Sequence, residues 1–342
     1  VSNNEAVSNL QAYIAFDNAI KAQTIKCLVM NNDMITASNA QICPNSLTLT
    51  ANSLIQVLPI LTREGKRLLF FIANNRNNIN NNTNATLFAA NPRTPNTALA
   101  SVTLTTTGNL PVDSYSGGIC FSDPYLFLYG SDGQVLCSDP KNPYDFSRLD
   151  APIEGGRSFK ISTDKVIYGV SARGGLSVPT ILFWTMSSVV KVTNVTNDTN
   201  AFKVDFKVDV ISSSSSIMSS RSVVEYDGLF YWMGTDRFYV YNGTVVTLPN
   251  NLNLNYILDN VDMQKRQLVF GVPNRKYEEI WWFYPEKINA GDASIGCTRA
   301  AIYNIQEQSW YDTAITRDCG SFLSSDGSMY TFGRSLADPL NL

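Results

Sequence analysis

The side chains that could do acid–base chemistry in this sequence are carboxylates, because its 342 residues include no histidine. Without imidazole, Ser-His-Asp and Cys-His nucleophiles, imidazole bases and histidine-ligated metals are all excluded. The remaining chemistry is that of two Asp or Glu residues at a set separation, as in glycoside hydrolysis. The candidate members of such a pair are Asp227, Asp236, Glu278, Glu279 and Asp326.

Most of these carboxylates stand at turn signals between apolar runs. Asp227 and Asp326 each precede a glycine, and Asp236 follows Gly234 by two residues. Aspartate stabilises such turns by bonding to its own backbone, and we expect this role for them rather than catalysis. The sequence therefore predicts no catalytic residue.

The cysteines do not form a metal-binding pattern. No Cys-x-x-Cys pair occurs, so a zinc site would need four thiolates from distant positions. We expect free thiols that pack as small hydrophobic side chains. No glycine-rich loop followed by Lys-Ser or Lys-Thr is present, and neither a metal nor a cofactor is predicted. The six cysteines are Cys27, Cys43, Cys120, Cys137, Cys297 and Cys319.

Three tryptophans are the residues that could stack on sugar rings: Trp281, Trp282 and Trp310. All three stand in predicted strands of an aromatic-rich chain. Aromatic side chains at such positions usually belong to the core, and we expect this of them.

Residues 225–246 predict the element that positions these side chains. Two aromatic runs, Leu229–Met233 and Phe238–Tyr241, are separated by a segment with Gly234 and Asp236, which marks a strand reversal. Asn242-Gly243 is a second reversal and a strong hairpin signal. The segment is therefore predicted to be a meander of three short antiparallel strands.

The same pattern recurs along the chain. Residues 123–136 align without gaps on residues 227–240, with Asp, Gly and Asp at matching positions, and a shorter copy begins at residue 326. The copies start about 100 residues apart, which is two units of ~50 residues, the period of β-propeller blades. Meanders near residues 17, 64, 123, 164, 227, 279 and 326 then give six or seven blades. The predicted fold is an all-β β-propeller of mostly antiparallel meanders.

Composition agrees with one turn-rich β domain over residues 1–342. Charged residues are 16% of the chain and aromatic residues 11%, with 20 Gly and 14 Pro. Residues 117–333 hold the clear blade copies, and residues 1–115 match them weakly. Because the last copy is short, we expect either N-terminal strands or chain beyond Leu342 to complete it. No apolar run reaches the ~18 residues of a membrane span, and no signal peptide is visible at the start.

One strand is distinguished by its charges. Residues 202–210 alternate strictly, with Phe and Val on one face and Lys and Asp on the other. The pattern predicts a half-buried strand whose outer charges discourage edge-to-edge pairing.

Several segments carry a resemblance to a known family, the tail hub or nozzle proteins of short-tailed bacteriophages, also described as packaged-DNA stabilisation proteins. The similarity covers roughly residues 117–332, and its motifs are structural rather than catalytic. The segments that resemble the family are residues 125–130, 138–140, 222–228, 231–238, 279–285, 302–304 and 309–313.

The resemblance implies a β-propeller subunit, six copies of which form a ring around the tail axis, through which the genome leaves the capsid. Its expected partners are its own copies and other tail and portal or adaptor proteins, with no membrane. Its expected location is the virion, after synthesis in the bacterial cytoplasm. Double-stranded DNA is expected to pass without specific binding, and 26 basic against 29 acidic residues fit that expectation. The loops predicted to contact other subunits are residues 74–84, 91–96, 140–146 and 248–254.

A second class of function stays open. The carboxylates and tryptophans named above also suit a glycan-binding or glycan-cleaving β-propeller that recognises a receptor. A cellular scaffold propeller is a third class, and no motif supports it.

Overall fold

The structure of the protein is a computed structural model. It describes residues 117–140, 142–143, 145–146, 157–172, 180–195, 206–251, 253–287, 296–322 and 327–333, and before residue 117 it describes strands alone. The predicted candidate Asp326, the side chains of Cys27 and Cys43, and the loops at residues 75–84 and 91–96 lie outside the described residues.

The strands before residue 117 form two four-stranded sheets. In the first, β2 pairs with β1, β3 and β4; in the second, the order is β5-β6-β7-β8. The strands are β1 (Leu10–Asp17), β2 (Ala22–Val29), β3 (Gln41–Ile42), β4 (Leu47–Thr50), β5 (Leu54–Leu61), β6 (Arg67–Asn74), β7 (Ala85–Ala90), β8 (Ala100–Ser101) and β9 (Thr105–Thr106).

The middle of the chain forms two more four-stranded sheets. Their orders are β10-β11-β12-β14 and β15-β16-β17-β18, and the short β13 pairs in parallel with β9. The strands are β10 (Gly118–Ser122), β11 (Tyr125–Tyr129), β12 (Gln134–Cys137), β13 (Asp145–Phe146), β14 (Arg157–Lys160), β15 (Val166–Ala172), β16 (Thr180–Thr185), β17 (Val189–Asn194) and β18 (Phe206–Ser212).

The last part of the chain adds two four-stranded sheets and a two-stranded one. Their orders are β19-β20-β21-β22, β23-β24-β25-β26 and β27-β28. The elements are β19 (Val224–Tyr226), β20 (Leu229–Met233), β21 (Phe238–Tyr241), β22 (Val245–Leu248), α1 (Leu254–Asn260), β23 (Phe270–Asn274), β24 (Glu279–Tyr284), β25 (Cys297–Asn304), β26 (Ser309–Arg317), β27 (Cys319–Phe322) and β28 (Met329–Phe332). Short 3₁₀ helices cover Ser131–Gly133, Ser220–Ser222 and Met263–Leu268.

The predicted fold class is confirmed: the chain is an all-β protein whose sheets are β-propeller blades. Within the described residues, six four-stranded sheets and the pair β27-β28 follow one another, mostly as antiparallel meanders. The number agrees with the six or seven blades expected. No helix of the described residues is long and apolar enough to cross a membrane.

The internal repeat is confirmed strand by strand. β11 and β20 are both the second strand of their sheets, and the sheet β15–β18 lies between them in the sequence. Two-residue turns precede both strands, because Ser122 pairs with Tyr125 and Tyr226 with Leu229. Asp227 and Gly228 have φ angles of 50° and 80°, as a type I′ hairpin turn requires.

The meander expected near residue 164 corresponds to the sheet β15–β18, which begins at Val166. The strand before it, β14, pairs with β12, whereas β15 pairs with β16. The segment between β14 and β15 therefore links two sheets. Strand sequence alone did not distinguish a turn within a sheet from a link of similar length between sheets.

The largest described core lies between the sheets β19–β22 and β23–β26. The Phe238 ring centroid is 4.9 Å from that of Trp282 and 4.5 Å from that of Trp310. Ile257 of α1 is completely buried in the same cluster. Each such side chain contributes roughly 1.5–3 kcal/mol by leaving water. Trp282 and Trp310 are thus core residues, as expected.

The chain divides into two compact units. The first includes the sheets formed by β1 to β8 and by β10 to β14, and the second includes those formed by β19 to β28. The residues of the sheet β15–β18 are divided between the two units. The expectation of a single closed propeller over residues 1–342 stays a prediction.

Candidate functional site

The Asp236 carboxylate organises the turn between β20 and β21. It accepts hydrogen bonds from Ser216 Oγ at 2.8 Å, Tyr239 OH at 3.0 Å and Arg237 Nε at 2.8 Å. Partial burial raises the pKa of Asp236, but these hydrogen bonds together outweigh it, so the pKa lies below its ordinary value. A carboxylate held ionised in this way is suited to fastening a turn, as the sequence predicted.

Asp227 occupies the turn before β20 and is bound by a neighbouring sheet. Arg275 Nη1 donates a hydrogen bond to its Oδ1 at 2.7 Å. The guanidinium carbon of Arg275 also lies 4.9 Å from the Tyr226 ring centroid and 5.3 Å from that of Phe322. Asp227 therefore takes part in a contact between sheets.

Asp227 and Asp236 do not form a catalytic pair. They lie beyond opposite ends of β20, whose 5 residues span roughly 13 Å. Glycoside hydrolysis needs its two carboxyl groups within about 5–10 Å of each other. Asp227 and Asp236, the two carboxylates that recur in the internal repeat, are therefore too far apart to act as such a pair.

Glu279 is the candidate carboxylate that contacts another candidate residue, Trp281. It is 9% exposed and accepts hydrogen bonds from Trp281 Nε1 at 2.8 Å, Asn274 Nδ2 at 3.3 Å and the Tyr311 hydroxyl. Burial and then the bond to Glu279 raise the pKa of Tyr311. These bonds go to both oxygens of Glu279, so the carboxylate is fixed in one orientation.

The sequence did not identify Tyr311 and Asn274 as members of this cluster. Alternation in β24 does place Glu279 and Trp281 on one face. Tyr311 joins them because Trp281 pairs with Ile302, and Ile302 pairs with Tyr311, in successive strands. The length of the loop between β25 and β26 fixes this register, and it is the sequence feature that could have predicted the position of Tyr311.

Glu278, the remaining described carboxylate candidate, is separated from this cluster. It is exposed at the end of the β23–β24 turn, where its φ of 57° is left-handed. The structure therefore does not bring Glu278 and Glu279 together as a pair on one face, although they are adjacent in the sequence.

A second charged cluster lies on β25 and β26 and was not predicted. Arg299 Nη2 donates to Asp312 Oδ2, and Arg299 Nη1 lies 3.9 Å from Glu286 Oε1. The hydrogen bond to Asp312 is the main reason why the pKa of Arg299 is raised. The nearby Tyr284 is buried, which raises its pKa to about 12. No sequence motif links these residues, because they come from three separate strand and loop segments.

The loop at residues 248–254 is attached to this cluster. Asn253 Nδ2 donates to Asp312 Oδ1 at 3.4 Å, and Asn250 Oδ1 accepts from Asn253 N at 3.2 Å. Beside it, Asn250, Asn251, Leu254 and Asn255 line a cavity of about 270 Å³. Asn250 is buried, so only part of this predicted contact loop is available at the surface.

One residue of another predicted contact loop is not at the surface. Phe146 is completely buried, and with Asp145 it forms β13. Its assignment to a contact surface at residues 140–146 is therefore wrong, because its ring belongs to the core.

Three of the four described cysteines agree with the predicted packing role. Cys120, Cys137 and Cys297 are buried thiols, whereas the thiol of Cys319 is exposed. Burial raises the pKa of Cys297 to about 12, which leaves it a thiol at neutral pH. Over the described ranges, no three His, Cys, Asp or Glu residues are grouped so that they could hold a metal ion.

Comparisons with known proteins return structures alone. No family model and no curated protein matches the chain. Among solved structures, a mutant of the α-L-arabinofuranosidase Arb93A from Fusarium graminearum matches at a TM-score of 0.40 and 12% identity, over 66% of each chain. AztD from Citrobacter koseri matches at 0.42 and 7%, over 89% of this chain and 86% of that one. Hsv2 from Kluyveromyces marxianus matches at 0.33 and 10%, over 83% and 74%. Likeness at this level carries no argument about what the chain does.

Proposed function

We propose that the chain is a structural subunit of the tail hub or nozzle of a short-tailed bacteriophage. Copies of it, six in number, form the ring through which the packaged genome is retained and then passes. The similarity of residues 117–332 to that family motivates the proposal. In this role the chain acts by assembly and not by catalysis.

The observation that supports a structural role is how the candidate carboxylates are used. Asp236 fastens a turn, Asp227 binds Arg275 of a neighbouring sheet, and Glu279 is fixed by three donors. Side chains that would be available for acid–base chemistry are instead engaged in holding strands and sheets in place. We expect this use of carboxylates in a structural subunit rather than in an enzyme.

The partners follow from this role. Each subunit contacts two further copies through head-to-tail surfaces that close by rotation. The ring contacts other tail and portal or adaptor proteins in the virion, and the subunits are made in the host cytoplasm. Duplex DNA slides through the ring without being held, because the basic and acidic residues of the chain nearly balance.

Electron microscopy and native mass spectrometry of the full purified chain test the proposal. Closed rings of six copies are the expected result, and labelled native particles should carry the chain on the tail axis. A chain that remains single at all concentrations, or that is absent from the tail, would overturn it.

A second candidate function, glycan recognition, is favoured by the cluster around Glu279. Tyr311 is 39% exposed and Trp281 is half-buried, and their polar atoms are oriented by one carboxylate. Exposed aromatic rings beside a fixed carboxylate can stack on and hydrogen-bond to a sugar. Calorimetry with oligosaccharides decides between the candidates: binding by a single chain that Trp281→Ala abolishes would favour the second.

A further inference from the structure

The cavity beside the loop at residues 248–254 is lined by side chains without charge. Of the described residues that line it, three are asparagines and the fourth, Leu254, is apolar. Its volume of about 270 Å³ is several times the ~30 Å³ that one water molecule occupies in the liquid. The volume is slightly below the range of about 300–1,000 Å³ found for drug-sized ligands. A ligand of this cavity would therefore be small, with roughly the size of one ring.

The same loop contains two buried amide atoms without a hydrogen-bond partner in the part of the chain that the structure describes. Asn250 lines the cavity and is 5% exposed; its Oδ1 accepts from Asn253 N at 3.2 Å, but its Nδ2 has no partner. Asn253 Nδ2 donates to Asp312 Oδ1 at 3.4 Å, whereas Asn253 Oδ1 has no partner. Burying an amide atom unpaired is unfavourable, and such groups often mark a functional role.

The loop that contains these atoms is held in place by β26. Pro249 O accepts a hydrogen bond from Trp310 Nε1 at 2.7 Å, and Asn253 is bound to Asp312. Trp310 and Asp312 both belong to β26, so one strand fixes the loop at two points. A cavity fixed in this way exists before a ligand arrives, as is usual for small-molecule sites.

The chemistry around the cavity favours a neutral ligand. Asp312, which the loop contacts, is already bound to Arg299, and burying an ion without a partner is costly. A hydroxyl group can both donate and accept, so hydroxyls can pair with an unpaired amide N–H and an unpaired amide oxygen. Leu254 offers an apolar surface to the same ligand.

We propose that this cavity binds one ring of a neutral saccharide. Its hydroxyl groups pair with Asn250 Nδ2 and Asn253 Oδ1, and its C–H face contacts Leu254. A sugar ring combines the two requirements, because hydroxyls surround its edge and C–H groups cover its faces. The site shares no residue with the cluster around Glu279. It is formed within one chain, so it does not depend on the assembly of a ring of subunits.

Calorimetric titration of the full chain tests the proposal. The probes are the methyl glycosides of glucose, galactose, mannose and N-acetylglucosamine, and at least one should bind saturably at a single site per chain. The uronate of the sugar that binds has the same ring with a carboxylate, and its dissociation constant should be at least about tenfold higher. If no probe binds up to its solubility limit, or if the uronate binds equally well, the proposal is wrong.

Two variants locate the sugar in the cavity. Asn250→Asp keeps the Oδ1 that accepts from Asn253 N but removes Nδ2, so it should raise the dissociation constant roughly tenfold. Asn242→Asp is the matched control and should bind like the parent, because Asn242 Oδ1 also accepts from a backbone N–H of its own turn, Thr244 N at 3.4 Å. Asn251 is exposed, so Asn251→Trp can fill the cavity without replacing a buried side chain, and it should abolish binding.

Thermal unfolding shows whether each variant is folded, so that lost binding is not mistaken for lost structure. Binding that persists unchanged in both Asn250→Asp and Asn251→Trp would overturn the proposal. The same conclusion follows if these two variants bind normally and Trp281→Ala does not, because the sugar then binds at the cluster around Glu279.

Discussion

The guanidinium carbon of Arg275 lies 4.9 Å from the ring centroid of Tyr226, which belongs to the preceding sheet. Arg275 follows β23, Tyr226 ends β19, and Phe322, the second ring that Arg275 contacts, ends β27. This side chain therefore connects its own sheet with the preceding and the following sheet. A planar cation can stack on rings in a way that a lysine ammonium cannot.

Replacing Arg275 by lysine should therefore destabilise the protein although the charge is kept. We expect Arg275→Lys to lower the free energy of unfolding by about 1–2 kcal/mol, measured in urea. Arg237→Lys is the control, because Arg237 also binds a carboxylate, Asp236 at 2.8 Å, but is half exposed. It should change stability by no more than about 0.5 kcal/mol. Equal losses would show that the ring contacts contribute nothing.

The turn after β20 requires glycine for reasons of space. A Cβ built on Gly234 would lie 2.6 Å from the Tyr239 ring and 2.8 Å from the carbonyl oxygen of Arg237. At Gly228 a Cβ would meet nothing within 4 Å, but φ is +80°. We expect Gly228→Ala to cost about 1 kcal/mol and Gly234→Ala about 2–4 kcal/mol. Thermal unfolding of both variants checks the order, and the reverse order would contradict the close approach.

The adjacent tryptophans of β24 should differ in their contribution to stability. Trp282 is completely buried and donates to the carbonyl oxygen of Ser222 at 2.9 Å, whereas Trp281 is half-buried. We expect Trp282→Ala to cost about 3–5 kcal/mol and Trp281→Ala about 1–2 kcal/mol. Urea denaturation separates the two. If Trp281→Ala proves the more damaging, the assignment of the two faces of β24 is wrong.

Features encoded over short stretches could be predicted from the sequence. The Asp227-Gly228 turn, the strands β20 and β21 and their match to β11 each depend on residues close in the chain, and they were predicted correctly. Burial of Trp282 and Trp310 followed from their apolar neighbours in the strands.

Features that depend on register or on distant segments could not be predicted. Tyr311 reaches Glu279 across two strand pairings. Arg299 donates a hydrogen bond to Asp312, which also accepts one from Asn253 in the loop after β22. Phe146 was assigned to a surface loop because Asn, Pro and Asp surround it in the sequence. Phe146 is nevertheless buried, in a short strand that pairs with β9, about 40 residues earlier in the chain.

The Asp236 turn should make part of the stability dependent on pH. The folded pKa of Asp236 lies below its ordinary value of 3.8, so the ionised form is stabilised by folding. Its contribution is fully present above 3.8 and is lost as the pH falls through the folded pKa. Asp236→Asn should therefore flatten the loss of stability below pH 3.8, measured by urea unfolding at a series of pH values. An unchanged slope would mean that the turn gains nothing from the charge.

The proposed conduit should let duplex DNA slide rather than hold it. Each lysine or arginine bound to a phosphate adds salt-dependent affinity, so a lining with many such contacts would retain the genome. With 26 basic and 29 acidic residues in the chain, we expect duplex binding no tighter than about 10⁻⁴–10⁻⁶ M near physiological salt. Fluorescence anisotropy with a labelled duplex, repeated over a range of salt, measures both the affinity and its salt slope. A sub-micromolar affinity with a steep slope would contradict the sliding lining, even if the chain proved to form rings.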